Sequence, residues 1–118
     1  MALSITSRTE GAVTILELHG RVTLGPAVRA LQSRARRLLG DPECGGLVLN
    51  FADVETLDSA GIGALVTIHS RATRRKLRTV LLAANARVKE VLAITRVDSL
   101  FDFAEDQAAA VRAVARKA

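Results

Sequence analysis

Apolar and polar residues alternate from Leu3 to Ser7 (Leu-Ser-Ile-Thr-Ser), the period-two pattern of a half-buried strand. Thr9-Glu10-Gly11 marks a turn. Val13 to His19 then reads as a second strand that Gly20 ends, so the chain is expected to open with a hairpin. Between Gly25 and Leu39 the period changes. Val28, Leu31, Ala35, Leu38 and Leu39 recur at spacings of three and four, while Arg29, Arg34, Arg36 and Arg37 fall elsewhere on the helical wheel. Pro26 suits a first helical turn. Gly40 and the following Asp41-Pro42 stop the helix.

Gly46 to Phe51 (GLVLNF) is a nearly unbroken apolar run, as expected of a strand covered on both faces. A polar loop is expected next, then a helix from about Ser59 to Lys76 and a buried strand from Thr79 to Ala84. A third helix, about Ala86 to Thr95, directs Val88, Val91 and Leu92 to one side. Leu100 to Phe103 reads as a short edge strand. Glu105 to Arg116 closes the chain as a helix with Ala108, Val111 and Ala115 inward. The order β-β-α-β-α-β-α-β-α predicts an α/β fold: one domain over residues 1–118, with a small mixed sheet of four to five strands and about four helices.

Composition sharpens this picture in two ways. Hydrophobic residues make up 49% of the 118 but aromatics only 3%, with no Trp or Tyr, so the core must be aliphatic. Cys44 is the only cysteine, which excludes an intrachain disulfide and fits a reducing compartment. Met1 to Gly11 lacks a basic-then-apolar leader pattern, and no uncharged apolar run reaches the roughly 18 residues of a membrane span. A cytoplasmic protein without membrane insertion is expected.

The chemistry concentrates in Asp53 to Leu65, DVETLDSAGIGAL. Asp58 and Ser59 both suit an N-cap, because their oxygens accept bonds from the orphan N–H groups of a first turn. Gly61 and Gly63 each cost helix stability, up to about 1 kcal/mol relative to Ala, which suggests that something approaches the backbone closely. Two readings stay open on spacing alone. Either the segment caps a helix whose glycines pack against a neighbour, or it forms an anion-tolerant site where a phosphate on Ser59 would meet the favourable end of the helix dipole.

The stretch LVLNFADVETLDSAGIGALV resembles the signature of bacterial anti-sigma factor antagonists of the STAS family: an apolar strand followed by Asp-Ser-(Ser/Thr/Ala)-Gly-(Leu/Ile)-Gly. Gly20-Arg21-Val22-Thr23-Leu24-Gly25 falls where that family has its post-strand Gly-Glu-(Leu/Ile)-Asp loop. Val88-Lys89-Glu90-Val91-Leu92 and Ile94-Thr95-Arg96-Val97, ending near Leu100-Phe101, resemble its third helix and last strand. The resemblance implies a non-enzymatic binding protein with Ser59 as phosphoacceptor. The implied partner is an anti-sigma factor that is also a serine kinase and holds the ATP; phosphorylation releases it. The implied partner surface comprises Asp58, Ser59, Ala60, Gly61, Ile62, Thr23 and Leu24. One departure is plain: Arg21 and Thr23 stand where many phosphorylated antagonists have acidic residues. A STAS module that serves as a constitutive subunit of a lipid-transport or stressosome-like complex is the alternative.

Other chemistries lack support. His19 and His69 are expected at the surface or a strand end, and with one cysteine they supply no zinc-ligand spacing. A Ser59–His69–Asp58 triad fails because ten residues of helix separate serine and histidine by ~15 Å. No phosphate-binding glycine motif occurs, so no cofactor is expected. A receiver domain would need an acidic cluster after its first strand, where this chain has Thr9-Glu10. Arg71, Arg74, Arg75, Lys76 and Arg78 are explained as cations opposing the dipole at a helix C-terminus. Despite the net charge of +5, no aromatic platform or known motif suggests nucleic-acid binding.

Overall fold

The computed structural model describes residues 3–115. Two strands, β1 (Ser4–Glu10) and β2 (Val13–Val22), precede helix α1 (Pro26–Leu39). Strand β3 (Leu47–Leu57), helix α2 (Ser59–Arg74), strand β4 (Thr79–Leu82) and helix α3 (Ala86–Ile94) follow. A single 3-10 turn over Asp98–Leu100, strand β5 (Asp102–Ala104) and helix α4 (Gln107–Ala115) complete the order. The sheet runs β1-β2-β3-β4-β5, with β1 antiparallel to β2 and the other pairs parallel. This is the mixed α/β architecture expected from the sequence.

Strand alternation divides the interior. Leu16, Leu18, Leu47, Leu49, Phe51 and Leu81 face one side, where they pack with Leu31 and Ala35 of α1, Leu65 and Ile68 of α2, and Val88 and Leu92 of α3. Val13, Ile15, Val48, Val80 and Leu82 face the other side, where α4 covers them with Ala110 and Val114. A central strand buried on both faces is therefore apolar at nearly every position.

The boundaries depart from the sequence pattern where tertiary pairing overrides it. β1 continues to Glu10, paired with Val13, because a two-residue turn suffices once Gly11 takes φ +62. It is an edge strand, exposed at every position but the half-buried Ile5, rather than half buried throughout. Gly20 does not end β2, and Phe51 does not end β3. The expected polar loop after Phe51 is strand, because β3 from Asp53 to Leu57 keeps pairing with β2 from His19 to Val22. Two register shifts accommodate the extension: five steps of β2, Glu17 to Val22, span seven of β3, Asn50 to Leu57.

Further along, β4 stops at Leu82 because Ala83 turns at φ +59, and β5 begins only after the 3-10 turn. Helix α4 buries Ala110 and Val114, while Ala108 and Ala115 are exposed and Val111 is half buried. An alanine-rich helix gives a weak apolar stripe, so the inward face there follows the sheet rather than the pattern. Its expected end, Arg116, lies outside the described residues.

The α4 layer rests on a glycine. At Gly46, with φ +135, an added Cβ would stand 2.3 Å from Val114 Cγ1 and 3.2 Å from the Arg78 carbonyl. Gly46→Ala is therefore expected to cost about 1–3 kcal/mol, read as a lower urea midpoint with an unchanged slope. A midpoint equal to wild type would mean that α4 does not dock against this strand.

Candidate functional site

The extended tips of β2 and β3 deliver the chain to the start of α2. The last rung pairs Val22 with Leu57, and the Asp58 N–H then donates to the Val22 carbonyl at 3.3 Å. Asp58 is in extended conformation (φ −107, ψ −172) and is the N-cap; its carbonyl accepts from the Ile62 N–H at 2.9 Å. Its carboxylate divides its work. Oδ1 accepts from the Gly61 N–H and Oδ2 from the Leu24 N–H, each at 2.9 Å. The two bonds fasten the helix start to the loop that follows β2. The Leu24 and Gly61 N–H groups, in that order, hold the Asp58 carboxyl below its ordinary value of 3.8, against a smaller opposing effect of desolvation.

The two glycines have different reasons. A Cβ on Gly61 would lie 2.2 Å from the Val22 carbonyl oxygen and 3.0 Å from Leu57 Cβ, so the close neighbour is the protein's own sheet. At Gly63 a Cβ would meet nothing within 4 Å. The expectation of a close approach is correct for Gly61 and overturned for Gly63, which faces solvent.

Ser59 occupies the first residue of α2 and is exposed. No residue among those described hydrogen-bonds its hydroxyl, whereas the Thr67 hydroxyl donates to the Gly63 carbonyl at 3.0 Å. Ser59, Gly63 and Thr67 follow one another at spacings of four along the outer face of α2, all exposed. Beside them Leu24 projects from its loop, 80% exposed.

Of the residues implicated from sequence, Ser59, Leu24, Thr23, Ala60 and Ile62 share this end of the molecule and are exposed or half buried. Asp58 is beside them, but both its carboxylate oxygens are engaged with backbone N–H groups, which makes it a positioning residue. Gly61 is buried against β2.

Arg21 is exposed and reaches Glu55 across the ladder at 3.4 Å; His19 Nδ1 lies 2.8 Å from Asp53 Oδ2. Such exposed pairs contribute roughly 0–1 kcal/mol each. Sequence reasoning missed Asn85, whose Oδ1 caps α3 at the Val88 N–H while Nδ2 donates to the Val54 carbonyl at 3.0 Å. That bond ties the tip of β3 to α3; the only signal for it is an Asn before a helix.

His19 lies within β2 and is exposed, but His69 is half buried with its ring edge-on to Phe101 at 5.5 Å. Among the described residues no group of three or more His, Cys, Asp or Glu side chains could hold a metal ion, and no helix is long and apolar enough to cross a membrane. Arg71 and Arg74 do lie in the last turn of α2. Arg75, however, serves α1: its Nη1 donates to the carbonyls of Leu39 (2.6 Å) and Asp41 (2.9 Å). Arg78 pairs with Asp102 at 2.7 Å.

The family model described as the STAS domain matches residues 4–110. No curated protein sequence matches the chain. Among solved structures, the chain is similar to a candidate anti-sigma factor antagonist from Thermotoga maritima, at 20% identity and TM-score 0.86 over 95% of each chain. It is similar to the Bacillus cell fate determinant SpoIIAA in the phosphorylated form (16% identity, TM-score 0.73, 93% of this chain and 99% of that one). The unphosphorylated form of SpoIIAA, an anti-sigma factor antagonist, matches at 16% identity and TM-score 0.72, over 98% and 100%. A sulfate transporter family protein from Wolinella succinogenes matches at 18% identity and TM-score 0.72, over 87% and 84%. At these identities the likeness is one of fold.

Two predictions test this construction. Asp58→Asn replaces an acceptor with a donor facing the Leu24 N–H and should cost about 1 kcal/mol at neutral pH. Because the folded carboxyl sits below 3.8, its stabilisation is complete above that value and fades as pH falls through the lower folded value. The gap between variant and wild type should therefore close in acid; a gap unchanged to pH 2 would contradict the clamp. Separately, Gly61→Ala should destabilise by about 1–3 kcal/mol, whereas Gly63→Ala should stabilise by up to about 1 kcal/mol, both read by thermal unfolding.

Proposed function

The chain belongs to the STAS-domain family, and on that premise we propose that it is an anti-sigma factor antagonist whose binding is switched at Ser59. In this reading the unmodified protein captures an anti-sigma factor that is also a serine kinase. Phosphorylation of Ser59 then dissolves the complex, which makes the protein a regulator of transcription that catalyses nothing itself.

The observation that supports this best is the situation of Ser59. Its hydroxyl is exposed, has no internal hydrogen bond among the described residues, and stands at the first turn of a helix fixed from below by Asp58. A kinase can reach it without unfolding anything. The serine oxygen would attack the γ-phosphorus of ATP on the partner, ADP would leave, and a base of the partner would take the proton. No base of this chain assists: His69 is ten residues along α2, about 15 Å away.

The same placement accounts for a switch in binding rather than in folding. A phosphate of about −1.5 to −2 charge is tolerated at the positive end of the α2 dipole. Leu24, Ala60, Ile62 and Thr23 at the same end offer apolar and neutral contact surface. Desolvating that charge would undo the interface. That SpoIIAA has been seen in phosphorylated and unphosphorylated forms fits a cycle of this kind.

A second reading, a STAS module held permanently by its partner, draws on the likeness to the sulfate transporter family protein and on Arg21 paired to Glu55 where acidic residues are common. The two readings part at Ser59. With its cognate serine kinase and ATP, the wild-type protein should gain one phosphate by mass spectrometry and Ser59→Ala none. Ser59→Asp should weaken partner binding about tenfold or more with the fold intact by circular dichroism, since a carboxylate suits a helix N-terminus. Undiminished phosphate in Ser59→Ala would remove Ser59 from its role and leave the permanent complex as the better account.

A further inference from the structure

We infer that the arginine-lined groove between α1 and α2 is a second docking element, which receives an acidic segment of the protein that binds at Ser59. The inference rests on the proposed reading that a partner protein approaches Ser59, and it extends that surface along the helix.

Charge is segregated in this fold. Neither α1 nor α2 contains an Asp or Glu, while Arg29, Arg34, Arg36 and Arg37 lie on α1, Arg71 and Arg74 on α2, and Arg75 and Lys76 just after it. None of these eight cations has an acidic partner among the described residues. Elsewhere four of the seven described cations are paired: Arg8 with Glu17, Arg21 with Glu55, Arg78 with Asp102 and Lys89 with Glu105. Helix dipoles favour each of Arg36, Arg71 and Arg74 in its own last turn, while Arg29, Arg34, Arg37 and Lys76 line neither hollow. A dipole acts within its own helix, whereas here the ends of α1 and α2 bring the cations of both side by side.

Four of the eight, Arg36, Arg71, Arg74 and Arg75, line two adjoining hollows. One, of about 100 Å³, is lined by Gln32, Arg36, Thr67, Ile68 and Arg71. The other, of about 280 Å³, is lined by Arg36, Leu39, Gly40, Arg71, Arg74 and Arg75. Arg36 and Arg71 border both, so the hollows form one groove. Arg75 is a fixed wall, anchored on the carbonyls of Leu39 and Asp41. Like charges gathered so closely repel unless a counter-charge joins them.

The occupant follows from what surrounds the charge. No Phe, Tyr or Trp lies on α1 or α2 to stack a base, the His69 ring is engaged with Phe101, and the large exposed apolar residues among those described, Leu24, Ile94 and Leu100, lie off both helices. Guanidinium forks match carboxylates in a bidentate manner. Ser59, Gly63, Thr67 and Arg71 also form one stripe at spacings of four, about 18 Å from end to end. A protein interface of ordinary size, about 800 Å² per partner, covers both ends at once.

The test uses an eight-residue poly-glutamate peptide titrated into the full chain labelled with ¹⁵N, in about 0.1 M salt. Shifts should concentrate at Arg36, Arg71, Arg74 and Arg75 and vanish at high salt. Arg36→Glu with Arg74→Glu should weaken binding about tenfold or more, while Arg87→Glu on α3 should not. Arg36→Gln with Arg74→Gln serves if the charge-reversed pair fails to fold. Shifts spread evenly over all cations, or unchanged affinity in the double variant, would overturn the inference. Tighter binding to random duplex DNA or to phosphatidylglycerol vesicles would also overturn it. Ser59→Asp should bind the peptide as wild type does, so failure of the Ser59 switch and failure of the groove show in separate measurements.

Discussion

Two backbone N–H groups, those of Leu24 and Gly61, sit where β2 ends and α2 begins, beyond the reach of sheet or helix partners. The Asp58 carboxylate takes both. It thereby converts three chain segments, the β2–α1 loop, the tip of β3 and the first turn of α2, into one rigid corner. Gly61 is the steric counterpart of this bond, since only a missing Cβ lets the helix come down onto the Val22 carbonyl. Ser59 is held up at this corner and owes its exposure to the residues on either side of it. The charge of Asp58 fixes the site's position, and the hydroxyl of Ser59 is left uncommitted.

The rest of the fold supplies an aliphatic platform with unequal faces. α1, α2 and α3 cover one side of the sheet with large side chains; α4 covers the other with Ala110 and Val114. The polar surface is equally uneven. Ion pairs decorate the strand tips and the sheet edges, whereas α1 and α2 present arginines without acids. The Ser59 corner and the basic groove therefore lie on the same layer of helices, on the side opposite α4.

Much of this was readable from residues alone. The change of period from two to three-and-four located the four α-helices, though not the inward face of α4, and Asp58-Ser59 before two glycines marked the corner. What escaped was non-local. Asp53 to Leu57 contains three polar residues to two apolar and looks like a loop; it is strand only because β2 runs beside it. Gly20 carries a stop signal that pairing overrides. Gly61 and Gly63 are identical in sequence terms, and only the position of Val22 distinguishes a required glycine from a free one. The convergence of Arg36 with Arg71 depends on how two helices cross, and no spacing along the chain encodes that.

The uneven count between the paired tips, five steps of β2 against seven of β3, has an evolutionary corollary. β4 pairs only with Leu47 to Asn50, so the far half of β3 has no strand on that side and is steadied by Asn85 instead. Insertions or deletions absorbed by a bulge there would swing the corner relative to the helices while the aliphatic interior kept its packing. Relatives with the same core could in this way diverge in whom they recognise by changing the length of a single strand.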